Sequence, residues 1–105
     1  MKIYISGPMS GLPDLNFHAF HAAAELLRGA GYDVVNPAEL NPDPGKTWRE
    51  CMSVDIKALV DCEGVALLPG WTESRGAMLE ARIAEGLGMT LWAVPEWLRR
   101  AQMAA

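Results

Sequence analysis

Short apolar runs bounded by turn residues alternate along this chain with stretches of helical period, and that alternation limits the possible folds more than any other feature. Lys2–Ser6 reads as a buried strand, closed by Gly7-Pro8 and a small-residue loop that runs to Gly11. A helix follows from about Asn16, which reads as its N-cap, to Arg28, with Phe17, Phe20, Ala24 and Leu27 on one face and Gly29 to Gly31 as its stop. Tyr32 to Val35 is the second strand. Asn36 to Gly45 holds three prolines and reads as a loop. Thr47-Trp48-Arg49-Glu50 then has the form of a capping box and opens a helix to about Asp61, with Trp48 as its anchor. Gly64 to Leu68 is the third strand and Pro69 to Glu73 a loop. The next helix carries Glu80 and ends at Gly86 and Gly88; Leu91 to Val94 is a fourth strand, and Pro95 to Met103 an amphipathic C-terminal helix. Strands that alternate with helices imply parallel pairing through crossovers. The expected fold is α/β, a three-layer Rossmann-like or flavodoxin-like open parallel sheet of four to five strands flanked by helices, in one domain over residues 1–105.

At 105 residues the chain can build one core but no separate lid, so a ligand must sit at an edge of the sheet or at a subunit boundary. A net charge of −4 leaves no basic footprint for nucleic acid, and no polynucleotide partner is expected. The N-terminus lacks the long apolar region of a signal peptide, and no run approaches membrane-spanning length. Cys51 and Cys62 are isolated thiols without metal-ligand spacing, while His18 and His21 read as surface residues of the first helix. These features point to a cytoplasmic, reduced protein with no membrane, metal or cofactor.

Open parallel sheets bind ligands beyond the carboxyl ends of their strands, where the strand order reverses. Here the loops leaving strands one and three, Ser6 to Gly11 and Pro69 to Glu73, would flank that crevice. The amides of Gly7 and Gly11 and the helix start near Ser74 could cradle a phosphate or a sugar hydroxyl, although tight turns also require glycine. In the following helix, Gly76, Leu79, Ile83 and Leu87 share a face at 3.6 residues per turn, and Glu80 lies within that stripe. An unpaired buried carboxylate is costly, so Glu80 needs either a structural partner or a chemical task. Asp55 flanks the stripe of Met52, Ile56 and Leu59 in the capped helix. Two such acids could form a pair like that of retaining glycosidases. The alternative is that Asp55 pairs with an arginine and Glu80 caps a loop amide.

Gly76-Ala77-Met78-Leu79-Glu80-Ala81-Arg82-Ile83-Ala84 resembles the Gly-Thr-x-x-Glu-x-Gly-x-Ala helix start of the nucleoside 2-deoxyribosyltransferase superfamily, which includes the 2′-deoxynucleoside 5′-monophosphate N-glycosidases. Tyr4-Ile5-Ser6-Gly7-Pro8-Met9-Ser10-Gly11 is similar to that family's first strand and sugar- or phosphate-binding loop. The resemblance runs from strand one to about Leu91 and looks closest to a small bacterial and phage branch with a Pro-Gly-Trp loop. It implies Glu80 as nucleophile, Tyr4 as the residue that orients it, and Asp55 as the acid that serves the leaving base. It also implies that Ser6, Gly7, Ser10, Gly11, Glu63, Gly70, Trp71, Ser74 and Gly76 contact substrate. Ser74 falls where monophosphate-specific members place a phosphate-contacting serine. Three positions depart from the pattern. Glu63 stands where the family has a second Asp, Arg82 where it has a Gly, and Ser10 where some members carry an Arg that Arg75 could replace, unless Arg75 is an ordinary solvated helix-start residue. Trp71 could stack on a base or pack on its own domain.

The implied activity is cleavage or transfer at the N-glycosidic bond of a (2′-deoxy)nucleoside or its 5′-monophosphate, through a covalent glycosyl-Glu80 ester and without a cofactor. The alternatives are a phosphoribohydrolase-like enzyme acting on ribonucleotides, a nucleotide-binding module, and a structural domain. The resemblance also implies assembly into dimers or larger oligomers, so a homodimer or higher homo-oligomer is expected. The apolar tail from Trp92 to Met103 offers surface for assembly unless it packs on its own sheet.

Overall fold

In a computed structural model that describes residues Met1 to Ala104, four parallel strands form one sheet. They are β1 (Lys2–Ser6), β2 (Asp33–Val35), β3 (Gly64–Leu67) and β4 (Thr90–Ala93), and they lie in the order β2-β1-β3-β4. Tyr4 pairs with Val35 on one side and Val65 on the other, and Ala66 pairs with Trp92. The order reverses between β1 and β3, which makes their carboxyl ends the place where a crevice opens. The helices are α1 (Phe17–Gly29), α2 (Pro37–Leu40), α3 (Trp48–Leu59), α4 (Arg75–Gly86) and α5 (Val94–Ala104). The architecture is the Rossmann-like or flavodoxin-like α/β fold expected, at the lower end of the strand count.

Side chains alternate across the sheet, so β1 feeds two cores. Ile3 and Ile5 pack with Phe20, Ala24 and Leu27 of α1 and with Val94 and Trp97 of α5. Tyr4 and Val65 point to the opposite face, against Leu59 of α3 and Ala84 of α4. Trp97 is 1% exposed, and its indole N–H donates to the Val65 carbonyl at 2.9 Å. A Cβ at Gly64 would stand 2.5 Å from that ring, so only glycine lets the tryptophan reach the sheet. The C-terminal tail thus packs on its own sheet, and the apolar surface anticipated for assembly is largely used inside the domain.

Local rules explain most boundaries. Thr47 accepts from the Glu50 amide at 3.1 Å while Glu50 accepts from the Thr47 amide at 2.9 Å, completing the capping box. Within the proline-rich segment the chain does form a helical turn, α2, because the Asn36 side chain accepts from the Ala38 amide at 3.0 Å and Pro37 supplies a preset φ at the first position. Asn16 does not cap α1. It sits in the left-handed region at φ 60°, and its amide instead donates to the Pro8 carbonyl at 2.9 Å.

The buried face of α4 also differs from the expected stripe. Ala77, Glu80, Ala81 and Ala84 face inward, while Leu79 is 38% exposed and Leu87 more so. Small side chains let the helix lie close to the strands, and that closeness, rather than the leucines, sets the rotation of α4. No described helix is long and apolar enough to cross a membrane.

Candidate active site

Both acids singled out by the sequence line one cavity of about 150 Å³ at the carboxyl ends of β1 and β3, together with Tyr4, Gly7, Ser10, Ser74 and Gly76. Glu80 comes from the second turn of α4, a helix whose start is fixed by Ser74 Oγ accepting from the Ala77 amide at 3.2 Å. Its carboxylate reaches the central strand β1 and is held by two hydroxyls. Tyr4 donates to Oε2 through a short hydrogen bond, and Ser6 donates to Oε1 at 2.7 Å. Glu80 is 4% exposed. Burial pushes its pKa up to about 7 against the opposing pull of the two hydroxyls, and Asp55 raises it further. The Tyr4 phenol is pushed well above its ordinary value, by burial first and by the neighbouring Glu80 second, so it stays a donor.

Asp55, on the inner side of α3, is 5% exposed. Burial raises its pKa to about 6, partly offset by a hydrogen bond from Asn41 and by the charge of Lys46. The arginine partner that a structural role would call for is not what it has. Asn41 Nδ2 donates to Asp55 Oδ1 at 2.6 Å, and Lys46 Nζ donates to Asn41 Oδ1 at 2.9 Å.

The other anticipated residues divide between the cavity and elsewhere. Gly7 allows the loop after β1 to pass tightly, since a Cβ there would lie 2.6 Å from that of Leu68. At Gly76 a Cβ would meet Met52 Sδ at 3.2 Å, so the absence of a side chain brings α4 close to α3. Ser6 is fully buried and its hydroxyl is committed to Glu80, which makes it a support for the acid. Gly11 turns the exposed loop at φ +81°, away from the cavity wall. Gly70 turns against Pro8, and Trp71 packs on the second core beside α4, so neither lines the cavity. Glu63 lies at the amino end of β3, at the opposite end of the strands from the cavity, where it accepts from the Lys2 amide at 3.1 Å.

Several residues that line the cavity or support its acids lie outside those the sequence picks out. Trp48 does more than start α3. It forms part of the cavity wall, and the Arg75 guanidinium stacks on its ring at 3.9 Å, so Arg75 is not simply solvated. Asn41 and Lys46 were concealed in the proline-rich segment; the one available signal was a polar pair on either side of Pro42 and Pro44, just ahead of the helix that bears Asp55. Leu15 lines the cavity from a turn in which Asp14, Leu15 and Asn16 all have left-handed φ, a conformation non-glycine residues rarely hold. Among the described residues no three His, Cys, Asp or Glu side chains are grouped to hold a metal ion.

The chemistry available is that of two desolvated carboxyl groups with different partners. One is clamped by hydroxyls and the other by a carboxamide. A comparison with curated proteins finds no match. The family model described as a domain of unknown function (DUF4406) matches residues 1–93, and the chain belongs to that family.

Proposed function

We propose that this protein cleaves or transfers the N-glycosidic bond of a (2′-deoxy)nucleoside or nucleoside 5′-monophosphate, with Glu80 as nucleophile. The observation that carries the reading is the Glu80 carboxylate, buried at the cavity wall and oriented by the hydroxyls of Tyr4 and Ser6. Those two donors favour the ionised form and fix the direction of its lone pairs, which is what in-line attack on C1′ requires. Attack passes through an oxocarbenium-like transition state and leaves a glycosyl ester on Glu80. Water, or a second base in the transfer reaction, then releases the sugar.

The second carboxyl supports the same scheme. Asp55 and Glu80 titrate about one unit apart, near 6 and near 7, and the charge of Asp55 disfavours ionisation of Glu80. Between about pH 6 and 7 the pair therefore holds about one proton, with the apparent values belonging to the pair. Catalysis uses the form with Glu80 ionised and Asp55 protonated, which is the less populated of the two one-proton forms because the lower value is that of Asp55; in it Asp55 supplies the departing base. The resemblance noted in the sequence makes a nucleobase the leaving group. The aromatic face of Trp48 at the cavity wall is chemically suited to it. A cytoplasmic location and a homo-oligomeric state belong to this proposal, the latter readable by light scattering.

Free-base release tests it. Deoxynucleosides, their 5′-monophosphates and the ribose counterparts are incubated with the wild type and with Glu80→Gln, with and without an acceptor base. Release by the wild type alone is expected, and the preferred substrate defines sugar and phosphate requirements. Equal release by Glu80→Gln, or none from any substrate, would overturn the assignment.

A further inference from the structure

Asp55 is held from one direction, and the order of donors there has a chemical consequence. An ammonium can only donate, so the carboxamide of Asn41 must turn its oxygen toward Lys46. Its nitrogen then faces Asp55, with the Pro37 carbonyl as a further acceptor at 3.4 Å. Oδ1 of Asp55 consequently faces a donor, and when the acid is protonated its hydrogen sits on Oδ2. Among the described residues Oδ2 has no hydrogen-bond partner, while no buried side-chain oxygen is left without one. Oδ2 is therefore the atom through which Asp55 reaches the cavity.

We propose that Asn41 and Lys46 are positioning residues that confine the proton of Asp55 to Oδ2 and so make this acid the proton donor to the leaving base. The inference rests on the glycosidic reading above. As the Glu80–C1′ bond forms, the C1′–N bond breaks and its electron pair goes to the base, whose nitrogen takes the proton from Oδ2. Asp55 is left as a carboxylate. The Asn41 N–H and the Lys46 charge behind it stabilise that anion in the buried site. In the second half, water attacks C1′ and gives its proton back to Asp55, while the ester bond electrons return to Glu80.

The sequence favours a firm arrangement. Pro42 and Pro44 fix two φ angles between Asn41 and Lys46, and Asp43 Oδ1 accepts from the Gly45 amide at 2.8 Å, closing the turn that presents the lysine. The titratable groups acting near Asp55 are Lys46 from this segment, Cys51 on its own helix, Glu80 on α4 and Tyr4 on β1. Of these, Lys46 favours the ionised acid, and the Asp55 charge in turn raises Glu80.

The test is a ¹³C NMR titration of the Asp55 carboxyl carbon, assigned with Asp55→Asn, in the full chain and in the variants Asn41→Leu, Lys46→Met and Lys46→Arg. A lost donor disfavours the carboxylate, so the midpoint is expected to rise in Asn41→Leu, to rise less in Lys46→Met, and to stay in Lys46→Arg. Lys46 is half-exposed, so Lys46→Met carries the test should Asn41→Leu not fold. Base release is then followed against pH. The expected result is a high-pH limb displaced upward by the same amount, with kcat lowered about tenfold and KM little changed. Midpoints that do not move in the folded variants would overturn the proposal. Midpoints that move while the wild type releases no base would retain the relay and remove only the glycosidic reading.

Discussion

Glu63 and Glu80 serve opposite ends of the same strand pair, and they show how the topology of a sheet distinguishes identical side chains. Glu63 precedes β3 at its amino end, in the open, and accepts from one backbone amide. Glu80 lies beyond the carboxyl ends of β1 and β3, where the helices α3 and α4 close over the sheet and exclude water. There it is 4% exposed and accepts from two hydroxyls. The strand order reverses between β1 and β3, so the connections that leave their carboxyl ends diverge to opposite faces and leave a cavity with acids in its wall. A carboxylate in such a place is perturbed by burial before any ligand arrives.

Removing each carboxylate in turn separates the two ends most strongly. Glu80→Gln keeps the shape but removes the nucleophile, and base release should fall by at least about a thousandfold. Glu63→Gln should stay within about twofold of wild type in the same assay, since its side chain does not meet the cavity. A comparable loss from both substitutions would dissolve the distinction between the two ends.

Stability offers a second contrast. In the unfolded chain Glu80 titrates near its ordinary value and in the fold near 7, so the folded state holds the extra proton between those limits. Stability contributed by the protonated form is full below the unfolded value and is lost as pH rises through about 7. Asp55, with its folded value near 6, acts in the same direction. Denaturant unfolding at pH 5 and pH 8 should find Glu80→Gln flatter than wild type and relatively more stable at pH 8, by up to about 3 kcal/mol.

Removing the hydroxyls that hold Glu80 should cost less than removing the acid. Tyr4→Phe and Ser6→Ala each take away a donor that favours the carboxylate, so the low-pH limb of kcat/KM is expected to move upward and the rate to fall about ten- to a hundredfold. A pH profile that keeps its low-pH limb in both variants would mean that the hydroxyls only pack. The smallest effect concerns the two tryptophans. Trp48→Ala should raise KM several-fold, whereas Trp71→Ala should lower the melting temperature and leave KM close to wild type. The reverse result would return Trp71 to the substrate.

The positions of the elements were legible in the chain, because apolar runs of strand length and Gly, Pro and capping residues act over a few residues. The Thr47–Glu50 box and the strand Lys2–Ser6 appear where local chemistry puts them. Asn36-Pro37 is a local start signal too, yet it was masked by the prolines around it, and α2 emerged from a stretch that read as a loop. Glu80 and Asp55 stood out because carboxylates beside apolar stripes conflict with simple burial, and the conflict is visible in one dimension.

Contacts between residues far apart in the chain depended on three-dimensional packing. The rotation of α4 followed from how closely alanines allow a helix to approach the strands, so the leucine stripe that dominates its periodicity turned outward. Whether Glu80 would find an amide, an arginine or a hydroxyl depended on β1, which lies 74 and 76 residues away and supplies Ser6 and Tyr4. Likewise the partner of Asp55 was fixed by a linker folding back over α3. From the order of residues alone follows an open parallel α/β domain with two anomalous acids. Their shared cavity, their unequal clamps and the separation of Glu63 from both arose when the strand order reversed between β1 and β3, since hydrogen bonds and desolvation act through space and local periodicity does not record them.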